Sequence, residues 1–135
     1  MEEITVRANV EQNMDKVWEF WTKPEHIMQW NFATDEWHCP AAVNDLKAGG
    51  RFSWRMEARD GSMGFDFSGS YTDIRLHELI AATLDDGRKI RITFVEDKGA
   101  TDVIETFEPD QNDRDLQQRG WQAILNNFKN YAESS

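Results

Sequence analysis

Ile4, Val6, Ala8 and Val10 alternate with Thr5, Arg7 and Asn9, which is the period of a half-buried strand. The period then changes. Met14, Val17, Trp18 and Trp21 fall at i, i+3, i+4 and i+7 behind Asn13, a capping residue, so a short helix follows the strand. Pro24 suits the first turn of a second short helix with Ile27, Met28 and Trp30 on its apolar side. From Asp35 to Ala48 the pattern weakens, and Pro40 interrupts what can only be an edge strand.

Alternation returns after Gly49-Gly50. Phe52, Trp54 and Met56 share one face, and Asp60-Gly61 turns the chain back into Phe65, Phe67, Gly69 and Tyr71. Leu79–Leu84 is a short apolar strand ending at Asp85-Asp86-Gly87. Ile90, Ile92 and Phe94 lead to a turn at Lys98-Gly99, and Val103, Glu105 and Phe107 follow before Pro109 stops the last strand. The stretch from Asp113 to Ala132 is different in kind. Leu116, Gly120, Ile124, Phe128 and Tyr131 recur at helical spacing, Trp121, Leu125 and Ala132 widen that face, and Asn112 or Asp113 can cap it. At ~1.5 Å per residue this helix is roughly 30 Å long, and its apolar side needs a sheet to cover it. One β-strand, two short helices, a run of strands and one long helix make an α+β fold with an antiparallel sheet and helices on one face.

Composition narrows the class of partner. The 135 residues suit a single domain spanning 1–135. A net charge of −10 disfavours nucleic acid and anionic membrane surfaces, and no apolar run is long enough to insert into a bilayer. Cys39 is the lone cysteine and the amino-terminal residues lack a signal-peptide pattern, so a cytoplasmic protein without disulfides is expected.

Three residues carry candidate chemistry. Glu105 lies between Val103 and Phe107 on one strand face, so it points with them toward the long helix. Burial there raises a carboxyl pKa and makes the residue a general base or a polar anchor for a ligand; the alternative is an end-of-strand residue that reaches water or a basic neighbour. His38 titrates near neutrality and can act as a second acid–base group, although a hydrogen-bonded histidine at a sheet edge is the plainer reading. Beside it Cys39 reads as a small apolar filler. His26 and His77 stand in unrelated segments, so neither a metal site nor a cofactor is expected. Gly120 is unfavourable in a helix by ~1 kcal/mol relative to Ala, so its lack of a side chain serves close approach of helix and sheet or leaves room beside them.

Five stretches together resemble a known family: Val17-Trp-Glu-Phe-Trp-Thr-Lys-Pro-Glu-His26, Glu36-Trp-His-Cys-Pro40, Asp45-Leu-Lys-Ala-Gly-Gly-Arg-Phe52, Asp60-Gly-Ser-Met-Gly-Phe-Asp-Phe67 and Gln118-Arg-Gly-Trp-Gln-Ala-Ile-Leu-Asn-Asn-Phe128. The chain is similar to single-domain proteins related to the activator of Hsp90 ATPase homologue, within the START/Bet v 1-like superfamily. The resemblance implies a helix-grip fold, in which a curved antiparallel sheet wraps the long C-terminal helix around a cavity. It also implies a ligand, a small hydrophobic or amphipathic molecule.

The residues expected to line such a site are Trp30, Phe32, Trp37, His38, Trp54, Met56, Phe65, Phe67, Glu105, Phe107, Gly120, Trp121 and Ile124. Binding without catalysis is the leading expectation, because no paired catalytic constellation is visible. An aromatase-, cyclase- or hydrolase-like enzyme using Glu105 with His38 is the first alternative. A chaperone-associated interaction module, as monomer or homodimer, is the second; the eukaryotic Hsp90 activator carries an additional N-terminal domain for which this chain has no room.

Overall fold

The computed structural model describes residues 2–135. Seven strands form one antiparallel sheet in the order β1-β7-β6-β5-β4-β3-β2. They are β1 (Ile4–Val10), β2 (Trp37–Asn44), β3 (Arg51–Ala58), β4 (Gly64–Arg75), β5 (Leu79–Leu84), β6 (Lys89–Asp97) and β7 (Ala100–Phe107). Helices α1 (Met14–Thr22) and α2 (Pro24–Trp30) fill the crossover from β1 to β2, and α3 (Arg114–Glu133) closes the chain. The sheet is a curled half-barrel with α3 in its grip, the helix-grip architecture that the alternation and the long terminal helix predict.

Local chemistry explains the shape. Asn13 Oδ1 accepts from Lys16 N at the start of α1, and Asp113 Oδ1 accepts from Leu116 N at the start of α3. Lys98 and Gly99 both take positive φ, the geometry of a tight two-residue hairpin between β6 and β7. The register shifts between His38 and Ala41 in β2, where Pro40 stands at the sheet edge, and again between Tyr71 and Asp73 in β4. Such irregularities add local twist and let a sheet curl. Gly69 lies in the same bend, and a Cβ there would meet Thr83 O at 2.4 Å. The chain passes too closely for any side chain.

The inner face of the sheet is mostly apolar. Ile4, Val6 and Val10 from β1 lie beside Val103 and Phe107 from β7 and Ile90, Ile92 and Phe94 from β6, all of them buried. One charged side chain, Glu105, shares that face.

The long helix does not pack evenly. Leu125, Phe128 and Ala132 are 0% exposed, whereas Leu116, expected on the buried face, is 61% exposed. In the first turns of α3 Gln117, and not Leu116, takes the position facing the sheet. What lies beneath the middle of the helix is space.

Candidate functional site

That space is a cavity of about 240 Å³ between the amino-terminal half of α3 and the inner face of the sheet. Its walls come from separate elements: Trp21 from α1, Trp30 from α2, Trp54 and Met56 from β3, Phe65 and Phe67 from β4, Glu105 from β7, and Trp121 and Ile124 from α3. The rings follow one another around the wall. Trp21 and Trp30 centroids are 4.8 Å apart, Trp30 and Trp54 6.0 Å, Trp54 and Phe67 5.8 Å, and Phe67 and Trp121 5.7 Å. Edge and tilted contacts of this kind hold each ring in place while leaving its free face to the interior.

Two further spaces adjoin the main one, because they share lining residues with it. A recess of about 20 Å³ lies deeper in the sheet, bounded by Trp21, Trp54, Phe67 and Glu105 together with Phe52, Tyr71 and inner-face residues of β5 and β6. Such a recess has room for roughly one water molecule. Toward the surface an apolar vestibule of about 220 Å³ is lined by Ala33, Trp37, Gly120 and, in common with the main cavity, Met56, Phe65, Gln117, Trp121 and Ile124. Phe65 is 49% exposed and forms part of its rim.

Glu105 is the chemical centre of the arrangement. Its register partners are Val6 on one side and Ile92 on the other, both buried. The residue is 9% exposed, and no hydrogen-bond or ion-pair partner reaches its carboxyl among the described residues. Burial alone pushes its pKa up from 4.5 to about 8, because nothing nearby compensates the charged form. At neutral pH the group is a protonated acid that yields its proton readily to a base. The expectation of an inward, buried Glu105 holds.

Arg88 and Gln117 at the periphery are better served. Arg88 bonds to Asp86 through Nε at 2.8 Å and stands 3.9 Å from Asp110. Gln117 accepts from Asp110 N through Oε1 and donates to Asn112 O. Asn31, at the end of α2 and 3% exposed, donates through Nδ2 to Cys39 Sγ at 3.8 Å, and its Oδ1 meets no donor among the described residues. Trp54 Nε1 is a fully buried donor without a partner.

The residues expected at the site divide. Trp30, Trp54, Met56, Phe65, Phe67, Glu105, Trp121 and Ile124 line the main cavity, and Trp37 and Gly120 line the vestibule. Phe107 is displaced from the wall: it stacks behind Trp121 at 3.8 Å and 11°, supporting the indole rather than touching the cavity. Phe32 is half-buried beyond the end of α2, where its carbonyl accepts from Asn127 Nδ2, and it lines none of these spaces.

His38 is also elsewhere. The bulge in β2 sets its Nε2 3.8 Å from Glu57 Oε1 on the neighbouring strand, so it does not converge with Glu105 on a common ligand position. Cys39 is buried, and burial pushes its thiol pKa up, the opposite of what a nucleophile needs. Gly120 is settled too. A Cβ there would meet nothing within 4 Å, so the glycine leaves room and does not permit close approach.

Sequence reasoning missed Trp21, Asn31, Arg88, Asp110 and Gln117. Trp21 carried a signal, because it lies on the apolar face of α1, but periodicity cannot tell a core ring from a cavity ring. Asn31, Arg88 and Asp110 are in connections, where no period exists to read.

A profile described as activator of Hsp90 ATPase homolog 1-like protein matches residues 12–133. The chain belongs to that family. The solution structure of the AHSA1-like protein from Aeromonas hydrophila is 40% identical, with a TM-score of 0.92 over 98% of this chain and 93% of that one. A protein from Cytophaga hutchinsonii is 52% identical, with a TM-score of 0.85 over 98% and 92%. At 20% identity a protein from Chromobacterium violaceum shares the fold, with a TM-score of 0.87 over 98% and 99%. No curated protein matches. Among the described residues no group of three or more His, Cys, Asp and Glu side chains could hold a metal, and no helix is long and apolar enough to cross a membrane.

Proposed function

We propose that this member of the activator of Hsp90 ATPase homolog 1-like family binds a small hydrophobic or amphipathic molecule in the cavity under α3, without transforming it. One observation carries the reading. An aromatic-walled space of about 240 Å³ encloses a single carboxyl group with no protein partner. Close-packed interiors rarely leave such a volume, and a cavity of about 150 Å³ already accommodates benzene. Small-molecule sites have this character, mostly apolar with one or two placed polar groups. His38, the expected second proton carrier, stands beside Glu57 and outside the cavity, which argues for binding over acid–base turnover by a matched pair.

The test is direct. Native mass spectrometry of protein drawn from cell extract, with a thermal-shift panel of lipids and aromatic compounds, is expected to yield a bound small molecule or stabilising hits. The variant Ile124→Trp places an indole in the cavity and is expected to abolish those hits while the protein keeps its cooperative unfolding. Hits that persist undiminished in the filled variant would place binding elsewhere and end this reading.

A further inference from the structure

The cavity is polarised along its length, and its polarity determines what kind of molecule fits and which way round. The outer vestibule is apolar: Trp37, Met56, Phe65 and Ile124 surround the gap left by Gly120. The inner chamber presents two oxygens that lack donors, the Glu105 carboxyl and Asn31 Oδ1, on side chains more than nine-tenths buried. Around them stand the indoles of Trp21, Trp30, Trp54 and Trp121. Unpartnered acceptors inside a box of indoles are complementary to a cation, since a ring face attracts positive charge and a buried carboxylate requires it.

We propose that the molecule taken up here is an organic ammonium compound, its cationic head held among the tryptophans by Glu105 and Asn31 and its apolar tail lying in the vestibule beside Gly120. The proposal rests on the binding reading above and specifies the ligand for it. The remaining charged groups that line the chamber do not substitute for a ligand. Arg88 is engaged with Asp86 and Asp110 at the rim, and the elements packed around Glu105 offer it Val6, Ile92, Trp21 and Ile124, none of them charged. Counting Arg88, Asp110 and ionised Glu105, the lining carries one positive and two negative charges, and the whole chain is at −10. Both favour approach of a cation.

Proton linkage gives the proposal a signature. A permanently charged ammonium needs the carboxylate, whereas the free protein holds the proton until about pH 8. Affinity for such a cation therefore falls about tenfold for each pH unit below that value and levels above it.

The probe pair is benzyltrimethylammonium and its uncharged isostere neopentylbenzene, with phenylacetate as the anionic control. Dissociation constants are read from tryptophan fluorescence at about pH 6 and about pH 9. Benzyltrimethylammonium is expected to bind at least about tenfold more tightly at the higher pH and to surpass neopentylbenzene there. Glu105→Gln is expected to remove the pH dependence and the preference for the cation while leaving neopentylbenzene bound as before. If neopentylbenzene binds but the cation has no advantage at pH 9, the ammonium assignment is wrong and the cavity reading survives. Preferential binding of phenylacetate overturns the assignment in favour of Arg88 as anchor. Failure of all three probes, in a protein shown to be folded, counts against both readings.

Discussion

The two halves of α3 share one amphipathic pattern and have opposite fates. In the carboxy-terminal half Leu125, Phe128 and Ala132 are completely buried, and Phe128 sits 4.8 Å from Trp21 and 4.9 Å from Trp30, ring to ring. Lys129 Nζ reaches Asn9 O, and Asn127 Nδ2 reaches Phe32 O, so this half is also bonded to the elements on either side. In the amino-terminal half Gly120, Trp121 and Ile124 face the cavity or its vestibule. This half is held at its far end instead, where the Arg114 guanidinium donates to Glu2 O and Glu3 O. A helix fastened at both ends, closely packed in one half and braced in the other by Trp121 on Phe107, can roof a space without collapsing into it. The same apolar side chains serve stability in one half and an internal surface in the other.

A matched pair of truncations separates the two halves most clearly. Phe128→Ala is expected to cost about 4 kcal/mol in urea unfolding, because it empties a filled site that cannot relax. Ile124→Ala, four residues earlier on the same helix, is expected to cost roughly 1 kcal/mol, because its side chain already borders open space and leaves little new void. Equal losses at the two positions would mean that the cavity is closed in solution.

Glu105 tests the open half electrostatically. Below about pH 4.5 the folded and unfolded chains both carry the proton. Between 4.5 and about 8 the unfolded chain releases it while the folded protein retains it. The folded state then binds more protons, so stability falls with rising pH by about 1.4 kcal/mol per unit across that window and levels above it. Glu105→Gln removes this slope. The variant is expected to exceed the parent by about 5 kcal/mol near pH 9 and to match it near pH 4, in paired urea titrations. A parent and variant that run parallel across the window would show that the carboxyl is solvated or paired.

Legibility in the sequence follows the same division. Alternation and helical spacing placed β1, β3 to β7 and α3 correctly, because each turns an apolar face toward the interior and period reports direction. Pro40 marked β2 as an edge strand for a local reason, its missing donor. Glu105 was legible because period two assigns direction to every residue of a strand. Leu116 was misread because the first turn of α3 presents Gln117 and not Leu116 to the cavity, a shift of one residue that the apolar period does not report. His38 stands at the sheet edge beside Glu57, the plainer of its two readings, and only its alternative role as a cavity acid–base group fails to match, because a bulge in β2 breaks the period that would place it. Phe107 faces inward as read, but whether an inward ring touches a cavity or backs another ring depends on side-chain packing, which no one-dimensional pattern contains. Asn31, Arg88 and Asp110 reach the site from connections and were invisible for that reason.

The smallest effect is the most telling about Gly120. Glycine inside a helix costs about 0.5–1 kcal/mol relative to alanine, through the extra freedom of the unfolded chain and the lost propensity of the folded one. At a closely packed crossing a methyl group would clash and the substitution would destabilise. Here a Cβ meets nothing within 4 Å, and φ is not in the left-handed region, so neither sterics nor backbone strain opposes it. Gly120→Ala is therefore expected to stabilise the protein by about 0.5–1 kcal/mol in thermal or urea unfolding. The methyl would stand in the vestibule, in the path of the ligand tail. The same variant is then expected to weaken binding of probes with bulky tails while short probes, which stop at the inner chamber, are unaffected. A stabilised protein with selectively weakened binding would identify the glycine as room kept open at a cost in stability. A destabilised one would show that α3 lies closer to the sheet in solution, and would remove the distinction between its two halves.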